Sequence, residues 1–272
     1  MAADNKNETG TNSGGWRQRV QSMSLVQWAR RRWLRHRDVV IGEGIGAGLR
    51  FNAAASNPEY SLGRNELPVQ QAFARYLRAG DVLYDVGANV GFFTVIGAKL
   101  VGSGGQVHAF EPVPENAAAV RHNCELNGMK QVTVWETAVS DISGTGELQL
   151  AHYSGGASLS IAAPPPDFKG TVSVTLVTLD ELTREQQLPP PSLVKIDVEG
   201  AEINVLRGMV ETINRYRPII IFEIDDGNRE AFEKKKAICT DFLVTLGYQI
   251  ELLPDSYPHA GWIVENYIAL PR

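Results

Sequence analysis

One stretch constrains this chain more than any other: VLYDVGANVGFFTVIGAKL, residues 82–100. A short apolar run between Gly80 and Gly87 reads as a buried strand, and the residues from Gly91 onward read as a helix. A strand that passes through a glycine turn straight into a helix opens a βαβ unit, and the chain keeps that rhythm. Leu67, Gln70, Phe73, Ala74 and Leu77 precede it at helical spacing, with Gly80 as the stop. QVHAF (106–110) is a second strand, PENAAAVRHNCELNG (114–128) a helix and VTVWETAV (132–139) a third strand. LVKIDV (193–198), a helix over 201–216, PIIIFEI (218–224), a helix over 229–247, YQIELL (248–253) and NYIAL (266–270) complete the pattern. This alternation predicts an α/β fold of about seven strands in one mostly parallel sheet with helices on both faces.

Residues 140–192 break the alternation. GELQLAHY (146–153), SLSIA (158–162) and TVSVTLVTL (171–179) look like short antiparallel strands separated at Gly155–Gly156 and Pro164–Pro166. An antiparallel hairpin insertion between strands 3 and 4 is therefore expected. It leaves the carboxyl end of the sheet, where it is either a substrate cover or a decorative hairpin. Residues 51–272 are assigned to the domain and residues 1–50 to an N-terminal extension. Met1–Gly15, rich in Asn, Gly, Thr and Ser, is predicted to be disordered. Residues 16–40 mix Trp16, Trp28, Trp33 and other apolar side chains with seven arginines, a basic amphipathic helix. Such a helix suits peripheral membrane contact or partner docking; otherwise it is a helix packed on the domain or a loose arm.

Composition removes other classes. At 43% hydrophobic and 21% charged residues the chain is neither disordered throughout nor collagen-like. Its apolar runs fall short of the roughly 18–20 residues that span a bilayer. No apolar h-region of a secretory signal follows the N-terminal charges. Cys124 and Cys239 are too far apart for a local metal clip and read as buried small hydrophobes. A soluble, cytoplasmic protein is expected. The formal charge of −5 hides an asymmetry: residues 1–50 hold nine Lys/Arg and four Asp/Glu, the remainder 17 and 27. An acidic body argues against nucleic acid as a partner.

The turn Asp85-Val86-Gly87-Ala88-Asn89-Val90-Gly91 lies where an open α/β sheet binds its ligands. A dinucleotide loop has Gly-x-Gly-x-x-Gly; this chain has Gly-x-x-x-Gly with a carboxylate two residues ahead. Asp85 would repel a pyrophosphate and attract an amine or a sulfonium. That disfavours a nicotinamide-dependent oxidoreductase, kept as an alternative together with a non-catalytic binding protein on the same fold. Glu111 ends the second strand, 26 residues beyond Asp85, where a carboxylate can accept both hydroxyls of a ribose. Lys195-Ile196-Asp197-Val198-Glu199-Gly200-Ala201-Glu202 places three carboxylates at the same rim. They can serve as a general base, bind a divalent cation or cap the next helix.

In order and spacing, DVGANVGFFT, HAFEPVPEN, ETAVSD, TLDEL, VKIDVEGAE and RPIIIFEI resemble the FkbM family of S-adenosylmethionine-dependent methyltransferases, over roughly residues 64–250. The resemblance implies the class I methyltransferase (Rossmann-like) fold, with the last strand antiparallel in a seven-stranded sheet. It implies S-adenosyl-L-methionine as cofactor and O-methylation of a sugar or natural-product hydroxyl, the partner being a small-molecule or glycan acceptor. Carried over, Asp85, Gly87, Asn89 and Gly91, with Ala88 between them, line the methionine end and ribose side of the cofactor, and Glu111 holds the ribose diol. Ala138 and Val139 lie near the adenine, with Ser140 at its edge; Asp197 and Glu199 face the methyl and the acceptor. Asp197 is the first candidate for the base, His152 a weaker one, and His108 a structural residue. Mg²⁺ involvement is left open, because carboxylate rims serve proteins with and without metals. N-methylation is disfavoured, since DVEG stands where such enzymes carry an Asn/Asp-Pro-Pro-aromatic segment. Trp135, Tyr153 and Trp262 are aromatics able to stack on a sugar or to pack in the core.

Overall fold

The computed structural model describes residues 36–54, 56–151, 158–159, 168–186, 188–254 and 263–272. The expected disordered tail, nearly all of the basic helix, His152, Tyr153 and Trp262 lie outside these residues. In chain order a short antiparallel pair, β1 (Val39–Val40) and β2 (Arg50–Phe51), precedes α1 (Leu67–Tyr76). Then come β3 (Val82–Val86), α2 (Phe92–Val101), β4 (Gln106–Phe110), α3 (Pro114–Leu126) and β5 (Val132–Trp135). The insertion supplies β6 (Ala138–Val139), β7 (Gly144–Ala151), β8 (Ser158–Leu159) and β9 (Phe168–Val177), followed by α4 (Leu179–Gln186). The second half adds β10 (Leu193–Ile196), α5 (Glu202–Arg207), α6 (Val210–Tyr216), β11 (Ile219–Asp226), α7 (Arg229–Thr245), β12 (Tyr248–Leu252) and β13 (Ile263–Pro271).

Seven strands form one sheet in the order β12-β13-β11-β10-β3-β4-β5. All its pairings are parallel except those of β13, which runs antiparallel to both neighbours. This is the class I methyltransferase architecture. The chain order reverses beside β3, which opens a crevice at the carboxyl ends of β3 and β10. Strand alternation sorts the core into two layers. Leu83, Val107, Ala109, Leu193 and Ile221 face α1–α3 with Phe73, Ile96 and Val120. Tyr84, Phe110, Val194, Ile196, Ile220 and Phe222 face α4–α7 with Leu206, Ile213 and Leu243. Both cysteines are free and buried.

Three expectations need correction. The run 132–139 is two strands, because Glu136 and Thr137 interrupt it and β6 changes partner, pairing in parallel with β9. It thereby completes a second sheet, β6-β9-β7-β8, whose β7 pairs antiparallel with β8 and β9. Periodicity reports burial, not which strand lies alongside. The helix over 201–216 is also two. A Cβ at Gly208 would lie 1.9 Å from the Ser140 carbonyl oxygen, so the chain there is pressed against the insertion. Asp180 then caps the new helix, its carboxylate accepting the backbone N–H groups of Glu211 and Thr212 at 2.9 and 2.8 Å. Finally, Leu67 sits at the tip of α1 and is 40% exposed; Gln70, Phe73 and Leu77 are buried as the spacing implies, and Val69 and Ala72 join them.

Part of the stretch assigned by charge to the extension packs on this body. Ile41 is buried in the α1–α3 layer together with Phe51, the first residue of the assigned domain. Asn123 in α3 accepts from the Asn52 N–H at 2.7 Å and donates to the carbonyls of Asn52 and Val90. Lys99 donates to the carbonyls of Ile45 and Ala47. The segment is thereby tied to the loop after β3.

Candidate active site

β3 delivers Asp85 to the floor of the crevice, fully enclosed. Its Oδ2 accepts from Thr94 Oγ1 at 2.6 Å, while Oδ1 is shut away from water with no partner. Burial pushes the Asp85 carboxyl up; Lys195 and Thr94 offset part of that, and Asp197 adds to it. Gly87 has φ +82°, and a Cβ there would lie 1.8 Å from the Asp197 carbonyl oxygen. Only glycine lets the loop after β3 run this close to the end of β10. The N–H groups of Gly87 and Ala88 both donate to the Phe110 carbonyl, so they fasten the loop and are spent there. Asn89 is left-handed at φ +50°, with its side-chain oxygen also enclosed and unpartnered. Gly91 caps α2.

Glu111 is buried just past β4. Its Oε2 accepts from the Asn89 N–H at 2.8 Å and its Oε1 from the Val113 N–H at 2.9 Å. Asn116 Nδ2 adds a longer bond to Oε1 at 3.4 Å, so the carboxylate is aimed and Oε2 keeps a further lone pair. Burial pushes it up to about 7, against the pull of its backbone donors and Asn116.

The third group lies at the carboxyl ends of β10 and β11 and in the loop after β10. Asp197 Oδ2 accepts from the buried Lys195 Nζ at 2.8 Å, and that ammonium lies 4.8 Å from the centre of the Phe93 ring. Burial works against the charge on Lys195, but Asp197, Asp85 and Glu66 more than restore it and hold it protonated. Glu199 is left-handed at φ +53° and lies beside Asp225. Burial, then Asp225, Asp197 and Glu202, push its carboxyl well above the ordinary range. Glu223 is driven up in the same direction by burial, Asp197, Glu66 and Glu199. Glu202 is buried at the start of α5; it accepts from the Gly200 N–H at 2.8 Å, and burial pushes it up to about 7.

Asp85, Gly87, Ala88, Asn89, Gly91 and Glu111 thus form one continuous loop system, and Asp197 and Glu199 stand across it. Ala138 and Val139 do not end the third strand, as expected; they form β6 and are buried. The inserted sheet packs Ala138, Leu148, Val174 and Leu176 against Ala201, with Val113 and Val198 alongside. It therefore rests on the two loops that carry Glu111 and Glu199. Trp135 stacks on Phe110 and donates to His108 Nδ1, in the core layer rather than the crevice. Lys195, Glu223, Asp225 and Glu66 were not singled out as site residues by sequence. The signal was present: Lys195 and Glu223 are charges inside the apolar runs LVKI and IIIFEI, on the same alternation as Asp85.

The residues present fit an S-adenosylmethionine site. Enclosed acceptor atoms on Asp85 and Asn89 have no protein donor, so a cationic, hydrogen-bond-donating ligand suits them, and Glu111 is aimed with capacity to spare. The model of the methyltransferase FkbM domain matches residues 85–250. The chain belongs to the FkbM methyltransferase family. It is an S-adenosylmethionine-dependent methyltransferase, which removes the oxidoreductase and binding-protein alternatives. This FkbM-family enzyme is 25% identical over 187 residues to the hexuronic acid methyltransferase AglP of Haloferax volcanii, covering 68% of this chain and 74% of that protein. It is 32% identical over 159 residues to the 31-O-demethyl-FK506 methyltransferase FkbM of Streptomyces tacrolimicus, covering 49% of this chain and 61% of that protein. It is 28% identical over 199 residues to the 2-O-methyltransferase NoeI of Sinorhizobium fredii, covering 65% and 79%. Among the described residues no group of three or more His, Cys, Asp and Glu could hold a metal ion, and no helix is long and apolar enough to cross a membrane.

Proposed function

We propose that this FkbM-family enzyme transfers a methyl group to a hydroxyl oxygen of a sugar or other natural product. The observation that carries this reading is the pair of carboxyl side chains Asp197 and Glu199 just past β10, with Asp197 held by Lys195 at 2.8 Å and its carbonyl pressed against Gly87. An alcohol must give up its proton to a positioned base as it attacks, whereas a neutral amine attacks through its lone pair and sheds its proton afterwards. The names of the three relatives, two of them O-methyltransferases, support the same class.

When bound, S-adenosylmethionine supplies an electrophilic methyl group on a positively charged sulfur. Asp85, Gly87, Ala88, Asn89 and Gly91 hold its amino-acid end and ribose side, Glu111 accepts the ribose diol, and Ala138 and Val139 present an apolar edge to the adenine. Asp197 and Glu199 face the acceptor. Asp197 is pinned by Lys195 and orients the hydroxyl; Glu199 takes its proton. The inserted sheet packs on the loops that carry Glu111 and Glu199 and holds them in place.

Labelled S-adenosylmethionine incubated with fractionated sugars and natural products of the host tests this. Label is expected in an ether-linked methyl group stable to base. Label appearing only on amines or in base-labile esters would sink the hydroxyl assignment.

A further inference from the structure

Beyond Asp197, polar side chains continue across the sheet, away from the loop that follows β3. The strands run in the order β3-β10-β11-β13. Ile196 pairs with Phe222, so the residues that follow them, Asp197 and Glu223, stand next to each other on neighbouring strands. Glu223 pairs in turn with Asn266 of β13. Alternation places Glu223 and Asn266 on the face of Ile221 and Ile268, the same layer as Leu83 and Leu193, which precede Asp85 and Lys195 by two residues. Glu223 interrupts the apolar run IIIFEI, and a polar group there costs stability unless something answers it. Asn266, itself buried, answers one oxygen: its Nδ2 donates to Glu223 Oε2 at 3.1 Å. Among the described residues no other donor is hydrogen-bonded to this carboxyl. Glu223 is half-buried rather than sealed, which leaves Oε1 open to the crevice.

This fixed oxygen stands one strand, about 4.8 Å, beyond Asp197. Two carboxyls at that spacing, each one hydrogen bond from its partner, straddle neighbouring hydroxyls of one molecule. A hydroxyl donates to a carboxyl oxygen held in place through a short, strong bond. We propose that Glu223 grips a second hydroxyl of the acceptor, on a carbon next to the methylated one, and that Asn266 is the positioning residue that aims it. This assignment rests on the hydroxyl acceptor proposed above and narrows it: the substrate is a vicinal diol, as in a sugar ring, rather than an isolated alcohol. Holding two neighbouring oxygens stops the ring from turning and presents one of them to the donor. It also selects, because a site built around a substrate hydroxyl is left with an unpaired polar group by an analogue that lacks it. Glu223 forms no covalent bond and takes no proton in the reaction.

Labelled S-adenosylmethionine and the host fraction that takes up its methyl group are the probes. The labelled ether made by the full chain is isolated and its structure determined by NMR. Its new methoxy carbon is expected to be bonded to a carbon bearing a free hydroxyl. A dilution series of the same fraction then gives acceptor KM and kcat. Glu223→Leu should raise KM about 10- to 100-fold, with kcat within about threefold, since one hydrogen bond to a charged group has gone. Asn266→Leu should raise KM about 3- to 10-fold, because the carboxyl stays but swings free. Donor affinity by calorimetry should stay within about twofold in both, which a general loss of structure would not allow. If a single variant fails to fold, the double variant Glu223→Leu/Asn266→Leu leaves no unpaired partner and carries the KM test. An ether with no free hydroxyl on a neighbouring carbon, an unchanged acceptor KM in a folded E223L protein, or a loss of kcat with KM kept would each overturn the inference and leave hydroxyl methylation standing. No ether product from the wild-type protein would remove the reading beneath it.

Discussion

Glu199, just past the carboxyl end of β10, and Arg217, just before β11 at the opposite end of the sheet, hold nearly the same backbone, φ +53° and +54°. At Arg217 every consequence of that conformation is satisfied. Its guanidinium donates to the carbonyls of Leu246 and Gly247 and lies 4.5 Å from the centre of the Tyr248 ring, and Tyr248 in turn donates to the Pro218 carbonyl. At Glu199 the same conformation aims a carboxyl at other carboxyls. A left-handed non-glycine residue costs on the order of 1–3 kcal/mol, and it persists where surrounding structure imposes it. At the foot of the sheet the surroundings recover that cost in stability. At the rim they spend further stability to hold acids together, which is what a site waiting for a cation requires.

The most severe test of this contrast is Glu199→Gln. Methyl transfer is expected to fall by about 10²–10⁴-fold, the usual contribution of a positioned base, while Tm stays level or rises because a crowded charge has gone. A loss of several degrees in Tm with turnover largely kept would make Glu199 a structural residue like Arg217 and erase the distinction.

Next comes the pH dependence of the ligand-free protein. Glu111 and Glu202 both rise from the ordinary glutamate value to about 7 on folding. The native chain then keeps protons that the unfolded chain releases between pH 4.5 and 7. Stability is therefore fully present below that window and falls as pH rises through it, by up to about 3 kcal/mol for each group. Denaturant titrations at pH 5 and 7.5 should show the decline, and saturating S-adenosylmethionine should flatten it. A ligand-free protein equally stable at both values would mean the rim is less crowded than its geometry implies.

Why the two ends were not equally legible in the sequence follows from the same chemistry. Strands β3, β4, β10 and β11 were readable because burial on both faces forces continuous apolar runs, and the Gly87 turn was readable because close approach admits one residue type. Asp85, Glu111, Asp197 and Glu199 stand at strand ends and were visible as carboxylates in register. The Glu199–Asp225 contact was not, since it joins segments 26 residues apart through adjacent strands whose order a single sequence does not display. The change of sheet after Trp135 and the break at Gly208 escaped for one shared reason. Both follow from where the insertion lies against the domain, and apolar periodicity carries no such information. Arg217 was quoted only as the first residue of RPIIIFEI and given no role, because its partners lie 29 and 30 residues on.

Arg217→Ala sharpens the comparison from the other side. Losing two charge-assisted hydrogen bonds and the contact with Tyr248 should cost about 2–3 kcal/mol, moderated because the side chain is half-buried and water can reach the freed carbonyls. Donor affinity measured by calorimetry should stay within about twofold, roughly 0.4 kcal/mol. A large drop in affinity would show that the foot and the rim are coupled.

The smallest effect concerns a polar group that lies in neither place. His108 sits within β4, buried; its Nδ1 accepts from Trp135 and its Nε2 is enclosed with no partner. Burial holds its pKa down at about 4. The unfolded chain therefore binds a proton below pH 6.5 that the native chain refuses until about pH 4, so His108 costs stability on acidification through that window. The cost is about 2 kcal/mol at pH 5 and vanishes above pH 7. His108→Phe keeps the ring against Tyr84 and frees only the half-exposed Trp135 N–H, which water can satisfy. The variant is expected to gain about 1–2 kcal/mol at pH 5, to match wild type within about 0.5 kcal/mol at pH 8, and to bind S-adenosylmethionine normally. An unsatisfied buried polar atom would then mark the site only where, as at Asp85, it stands at a strand's carboxyl end beside a charge that a ligand can answer. Should His108→Phe weaken donor binding, the unpartnered imidazole belongs to the site as well, and the boundary between core and rim must be drawn one residue pair deeper along β4.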